Sequence, residues 1–124
     1  MNTFPRITLK TTNFESTPHI ERLLDKRLGT LGKFVPDYET ARTCDVELER
    51  LTGQQTGKIF RAEVNLQVGG TLFRAEATAE RMEDAIEQAK NELKSEIIRK
   101  TGKRKSLFKR GAQRIKEMMR FGGE

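Results

Sequence analysis

Residues 60–79 constrain the fold more than any other stretch. Phe60, Ala62, Val64, Leu66 and Val68 alternate with Arg61, Glu63, Asn65 and Gln67, the period-two pattern of a strand with one face buried and one in water. Gly69-Gly70 follows at once, and both positions can take a positive φ in a two-residue hairpin turn. The chain then returns with Phe73, Ala75 and Ala77 inward and Arg74 and Glu76 outward. One-residue slippage would send every apolar side chain to water, so the pattern also sets the register.

Other elements are read around this hairpin. Cys44, Val46 and Leu48 alternate with Asp45, Glu47 and Glu49 and form a third half-buried strand, joined to the hairpin by a polar loop over 51–57. Ile7, Leu9 and Thr11 mark a short first strand. Ser16-Thr17-Pro18 opens a helix with a hydroxyl cap and proline at the first position, where its missing N–H costs nothing. Ile20, Leu23, Leu24, Leu28 and Leu31 form its apolar stripe, opposite His19, Arg22, Lys26 and Lys33, with Arg27 at the edge. Gly32 and Pro36 bracket its end. A second helix runs from about Glu80 to Lys100, with Met82, Ala85, Ile86, Ala89, Leu93 and Ile97 within about 120° of arc. Thr101-Gly102 is expected to end or loosen it. The order β-α-β-β-β-α predicts an α+β fold, a four-stranded mixed sheet with two helices packed on one face.

Charge divides the chain in two. The stretch 99–120 holds ten basic side chains against one acid, Glu117, whereas residues 1–98 hold 14 basic against 16 acidic. A near-neutral domain over 1–100 is therefore followed by a polycationic tail over 101–124, the footprint of a protein that meets a polyanion. In the tail, Lys103, Arg104 and Lys105 make a basic run, and Ser106 could cap a separate helix. Its apolar face would carry Leu107, Phe108, Ala112, Ile115, Met118 and Met119, opposite Lys109, Arg110, Arg114, Lys116 and Arg120. A helix of about 15 residues is marginal alone and orders against a partner. Four readings of the tail stand open: folding on RNA, docking on a partner protein or on the body, lying on an anionic membrane surface, or remaining an inert tail.

Enzyme chemistry has little to work with. One cysteine, Cys44, and one histidine, His19, exclude a disulfide within the chain and a thiolate metal cluster. No phosphate-cradling glycine loop or nucleophile elbow is present, and no cofactor is implied. Cys44 reads as a small buried hydrophobe and His19 as a surface residue without a special role. No apolar run approaches a membrane span, and the first residues lack a signal-peptide core, so a cytoplasmic location is expected.

Certain local sequences, taken in order, resemble the short ribosome hibernation-promoting factors, also called ribosome-associated inhibitors or ribosomal subunit interface proteins. They are Thr17-Pro18 opening a helix that ends Lys26-Arg27-Leu28-Gly29-Thr30-Leu31-Gly32-Lys33-Phe34, the Gly69-Gly70 hairpin, and Ala77 to Ile86 leading into the last helix. The resemblance implies a non-enzymatic binder of the small ribosomal subunit and its ribosomal RNA, with ribosomal proteins as further contacts. Such proteins inhibit translation by occupying the decoding region, where messenger and transfer RNA bind. It implies no small-molecule substrate and no dedicated dimerisation domain. The alternative is a general RNA-binding module whose basic tail is not specific to ribosomes.

On this reading the RNA-binding residues are Arg22, Lys26, Arg27 and Lys33 of the first helix, Lys90, Lys94, Arg99 and Lys100 of the second, and Lys103, Arg104, Lys105, Lys109, Arg110, Arg114, Lys116 and Arg120 of the tail. The same α-helical lysines and arginines could instead be an ordinary solvated face. Lys90 and Lys94, four residues apart, could hold one phosphate between them. Family members typically read Asp-Met-Tyr where this chain has Arg81-Met82-Glu83. They also read Lys-Leu-x-Arg-Gln-Leu where it has Glu92-Leu93-Lys94-Ser95-Glu96-Ile97. Two family cations are thus Glu92 and Ser95, which shifts weight to Lys90, Lys94, Arg99 and the tail. The acidic row Asp45, Glu47, Glu49 would repel RNA, so the binding surface is expected on the helix side or its edges.

Overall fold

The computed structural model describes residues 4–35, 42–53 and 56–113, with side chains described as far as Gly102. Its elements are β1 (Ile7–Thr12), α1 (Pro18–Gly29), a short 3-10 turn (Gly32–Phe34), β2 (Arg42–Arg50), β3 (Phe60–Val68), β4 (Thr71–Ala79) and α2 (Met82–Gln113). The strands lie in the order β1-β2-β3-β4. β1 pairs with β2 in parallel, and the other two pairs are antiparallel. This is the expected mixed sheet: the parallel pair needs a crossover, which α1 supplies, and the antiparallel pairs need only short loops.

Register carries the alternation across all four strands. Leu9 stands beside Val46, Val46 beside Val64, and Val64 beside Ala75. That row and its inward neighbours meet Ile20, Leu24 and Leu28 of α1 and Ala85, Ile86, Ala89, Leu93 and Ile97 of α2 in one core. Phe73, Leu93 and Ile97 are fully enclosed.

The start of α1 follows its sequence. Thr17 Oγ1 accepts a hydrogen bond from the Ile20 N–H at 3.2 Å, and Pro18 follows it. The helix ends earlier than its apolar stripe suggests, at Gly29. Leu31 is buried from the connection to the 3-10 turn, because that tighter turn still aims it at the core. In the β3–β4 hairpin only Gly69 takes a positive φ, 58°. A left-handed first central residue suffices for a two-residue turn.

α2 departs from expectation. It does not stop at Thr101-Gly102 but continues to Gln113 as one 32-residue helix, about 48 Å long at 1.5 Å per residue. Ser106 lies inside it, so no separate helix begins there. Thr101 Oγ1 bonds back to the Ile97 carbonyl at 2.7 Å, a tie that leaves the helix intact. Gly102 costs only about 1 kcal/mol relative to alanine, and neither proline nor a left-handed residue follows among the described positions. Residues 114–124 lie outside the described residues, as do Arg114, Lys116 and Arg120 within them.

Candidate nucleic-acid interface

The two helices lie side by side on the sheet, and their seam gathers charge. Ile20, Leu24 and Leu28 point α1 at the core. Helical spacing then sends Arg22 and Lys26 outward and His19 and Arg27 toward α2, while Glu21 and Asp25 fall on the far flank. There the two acids border a groove floored by Ile7, Leu9 and Leu24. Across the seam His19 Nε2 lies 3.8 Å from Glu83, and Arg27 Nε lies 3.2 Å from Glu87 Oε1. Glu87 also receives Lys90, with Nζ at 3.1 Å. Lys94 turns away from Lys90 and sets its ammonium 5.1 Å from the centre of the Phe34 ring, which Lys33 also approaches at 5.4 Å. Lys90 and Lys94 thus face different partners, Glu87 and the Phe34 ring.

Arg22 and Lys26 are exposed and make no ion pair among the described residues. The outer face of α1 carries Arg22 and Lys26, and the adjoining seam carries Arg27, Lys33, Lys90 and Lys94, with Glu83 and Glu87 as its acids. Side chains of this kind meet phosphates and set register without reading sequence.

Arg99 and Lys100 stand elsewhere. Both pair with Glu96, whose carboxyl is held below its ordinary value by the hydrogen bond from Arg99, against a smaller upward push from burial, with help from Lys100. Lys100 Nζ also donates to the Leu72 carbonyl at 2.7 Å and lies over the Phe73 ring. That lysine caps a carbonyl at the free edge of β4, a common way to blunt an edge strand. Glu92, where a family cation was expected, borders a groove with Arg74, Ala75 and Glu76 on the same β4 side. The substitution leaves the α1–α2 seam untouched. Lys103, Arg104, Lys105, Lys109 and Arg110 lie on the helical extension, and their side chains are outside the described residues.

The opposite face of the sheet is organised around a residue that sequence reading passed over. Register places Glu47, Glu63 and Glu76 in one row across β2, β3 and β4, an arrangement that like charges disfavour. Arg61 resolves it. Its Nη2 donates to Glu63 at 2.6 Å, its Nε to Glu76 at 2.6 Å and its Nη1 to Glu49 at 3.1 Å, with Glu47 at 3.9 Å. Arg74 Nε adds a bond to Glu63 at 2.8 Å. The sequence signal is weak, since Arg61 is one of several outward cations among the acids of this face and its role follows from register. Lys10, Arg61 and Arg74 stand against Asp45, Glu47, Glu49, Glu63 and Glu76 on this face. It is net negative, whereas the helix face is rich in cations.

The chain matches the family model described as sigma 54 modulation protein / S30EA ribosomal protein over residues 7–105. It belongs to that family. Members are ribosome-associated and non-enzymatic. Among solved structures, the fold is similar to the N-terminal domain of Protein Y from Thermus thermophilus, at 23% identity and TM-score 0.62, covering 77% of this chain and 98% of that one. It is also similar to a ribosomal subunit interface protein from Coxiella burnetii, at 14% identity and TM-score 0.61, covering 77% and 97%. No curated protein matches the sequence. Among the described residues no helix is long and apolar enough to cross a membrane.

Proposed function

We propose that this protein is a cytoplasmic hibernation factor that sits in the decoding region of the small ribosomal subunit and blocks messenger and transfer RNA. The observation that carries the reading is the segregation of charge: six cations on the α1–α2 face and a net-negative sheet on the other side. Only one orientation toward a polyanion is then favourable. The domain over 1–100 would dock by its helices, and the segment 101–124 would extend along ribosomal RNA. The mechanism is steric exclusion with electrostatic affinity, so it needs no cofactor. The name of the Coxiella burnetii neighbour, a ribosomal subunit interface protein, supports the same partner.

If the ten cations from Arg99 to Arg120 each neutralised a phosphate, affinity would fall with salt at a log–log slope of roughly −7 to −9. The test is co-sedimentation with small subunits at moderate salt, using the full chain, a chain lacking residues 103–124, and a triple variant Arg22→Ala, Lys26→Ala, Lys33→Ala. Both altered proteins should sediment poorly while keeping the helical circular dichroism of the body. The bound full chain should also lower transfer-RNA binding. Equal co-sedimentation of all three would refute the assignment of the face and the tail. Equal affinity for unrelated structured RNAs would favour the general RNA-binding alternative.

A further inference from the structure

Phe34 closes the turn after α1 and stands half-buried beside the seam, with part of its ring packed on the core. Two ammonium groups converge on it, Lys33 at 5.4 Å and Lys94 at 5.1 Å from the ring centre. Lys33 is the neighbour of Phe34 in the same turn, whereas Lys94 reaches the ring from α2, 60 residues on. Both ammonium groups lie within the roughly 6 Å at which a cation is drawn to a ring. Neither lysine has a carboxylate partner among the described residues. Like charges drawn together beside an aromatic surface offer what a nucleotide carries: an anion for the ammonium groups and a π-face for the ring.

We propose that Phe34, Lys33 and Lys94 form a receptor for a single unpaired nucleotide. Its base stacks on the accessible part of the Phe34 ring, and its phosphate takes both ammonium groups as they swing off the ring. This rests on the RNA-binding reading above and sharpens it. The other seam cations hold backbone in any conformation, whereas this site requires a base freed from pairing. A duplex base is already stacked on both sides and cannot enter. Single-stranded RNA is thereby distinguished from duplex at one end of the seam.

The chain contains no tryptophan, so the full-length variant Phe34→Trp carries one indole at the site. It would be titrated with a short single-stranded oligoribonucleotide, the same sequence as duplex, and inorganic polyphosphate, with binding followed independently by anisotropy or sedimentation. Indole emission should be quenched by the single strand and unaffected by polyphosphate. Binding of the single strand without quenching, or equal quenching by polyphosphate, would overturn the receptor while leaving RNA binding intact. Failure of the unaltered protein to bind any RNA would overturn both readings. Phe34→Leu keeps the apolar packing without the ring. It should lose about 5- to 150-fold in affinity for the single strand and nothing for polyphosphate; an equal loss for both would overturn the proposal. Should Phe34→Trp unfold, photo-cross-linking of the unaltered chain to a 4-thiouridine oligonucleotide decides the matter. An adduct on Phe34 supports the site, and adducts confined to other residues refute it.

Discussion

Removing the charge of Glu87 should strengthen RNA binding. Its carboxylate faces Arg27 at 3.2 Å and Lys90 at 3.1 Å, and so screens two cations of the seam. Oε1 is enclosed and makes no hydrogen bond, so the Arg27 contact is an ion pair without an aligned N–H. Glu87→Gln deletes the charge and keeps the shape. Arg27 and Glu87 are 43% and 44% exposed at the side chain, and pairs this exposed contribute about 0–1 kcal/mol. The thermal midpoint should therefore move by only a few degrees. Each additional phosphate contact steepens the log–log salt slope by about 0.7 to 0.9. Extrapolated from 1 M to 0.15 M salt, one contact is worth about fivefold in affinity. Anisotropy of a labelled small-subunit RNA fragment, titrated between roughly 50 and 300 mM salt, would read both quantities. Arg27→Gln should do the reverse, with a shallower slope and weaker binding. If Glu87→Gln left slope and affinity unchanged while Arg27→Gln was equally silent, the seam would not be the RNA-binding face.

Three further outcomes follow from the packing. Leu93→Ala empties a fully enclosed site in α2 and should cost about 3–5 kcal/mol in denaturant unfolding; a cost below about 1 kcal/mol would contradict the packing of α2 on the sheet. Cys44, whose thiol is pushed up to about 12 by burial and then by the Asp45 charge, should resist iodoacetamide at pH 8 until denaturant is added; prompt alkylation of the native protein would contradict its enclosure. Burial pushes the Glu63 carboxyl up, yet hydrogen bonds from Arg74 and Arg61 outweigh it and hold the group below its ordinary 4.5. Its stabilisation is present above that value and lost as pH falls through the lower folded value. Unfolding midpoints of the native chain should therefore drop on acidification below about 4.5, and Arg61→Met should flatten that drop while lowering stability at neutral pH.

Much of this architecture was legible because its signals are local. Thr17 and Pro18 fix the start of α1, Gly69 fixes the hairpin, and the alternation from Cys44 to Ala77 fixes which side chains are inside. The candidate site was legible only as a set of helical cations. Strand and helix periodicity tells which way a side chain faces, and it does not tell what stands across from it. Arg27 opposite Glu87, Lys94 over Phe34, and Lys100 on the Leu72 carbonyl join residues 28 to 60 positions apart. Those partners depend on how α1, α2 and β4 settle against one another. Arg61 shows the same limit, since its importance arises only once register sets three glutamates in a row.

The length of α2 was misread for a different reason, and the correction changes how the tail is delivered. Gly102 sits where the apolar stripe gives way to a basic run, so composition and glycine together suggest a stop. A glycine ends a helix by adopting a left-handed conformation, and Gly102 does not take one. A side chain there would meet only Ile98 Cγ2, at 3.7 Å, so nothing crowds the position. The basic segment thus begins inside a helix anchored by Ile97 in the core and by Lys100 on β4. Its first dozen residues leave the body along the axis of α2 instead of hanging from a loose joint at residue 101. Pre-setting that direction lowers the entropy of ordering the segment on a polyanion. On the proposed function, charge would give the tail its attraction and the unbroken helix would give it an aim.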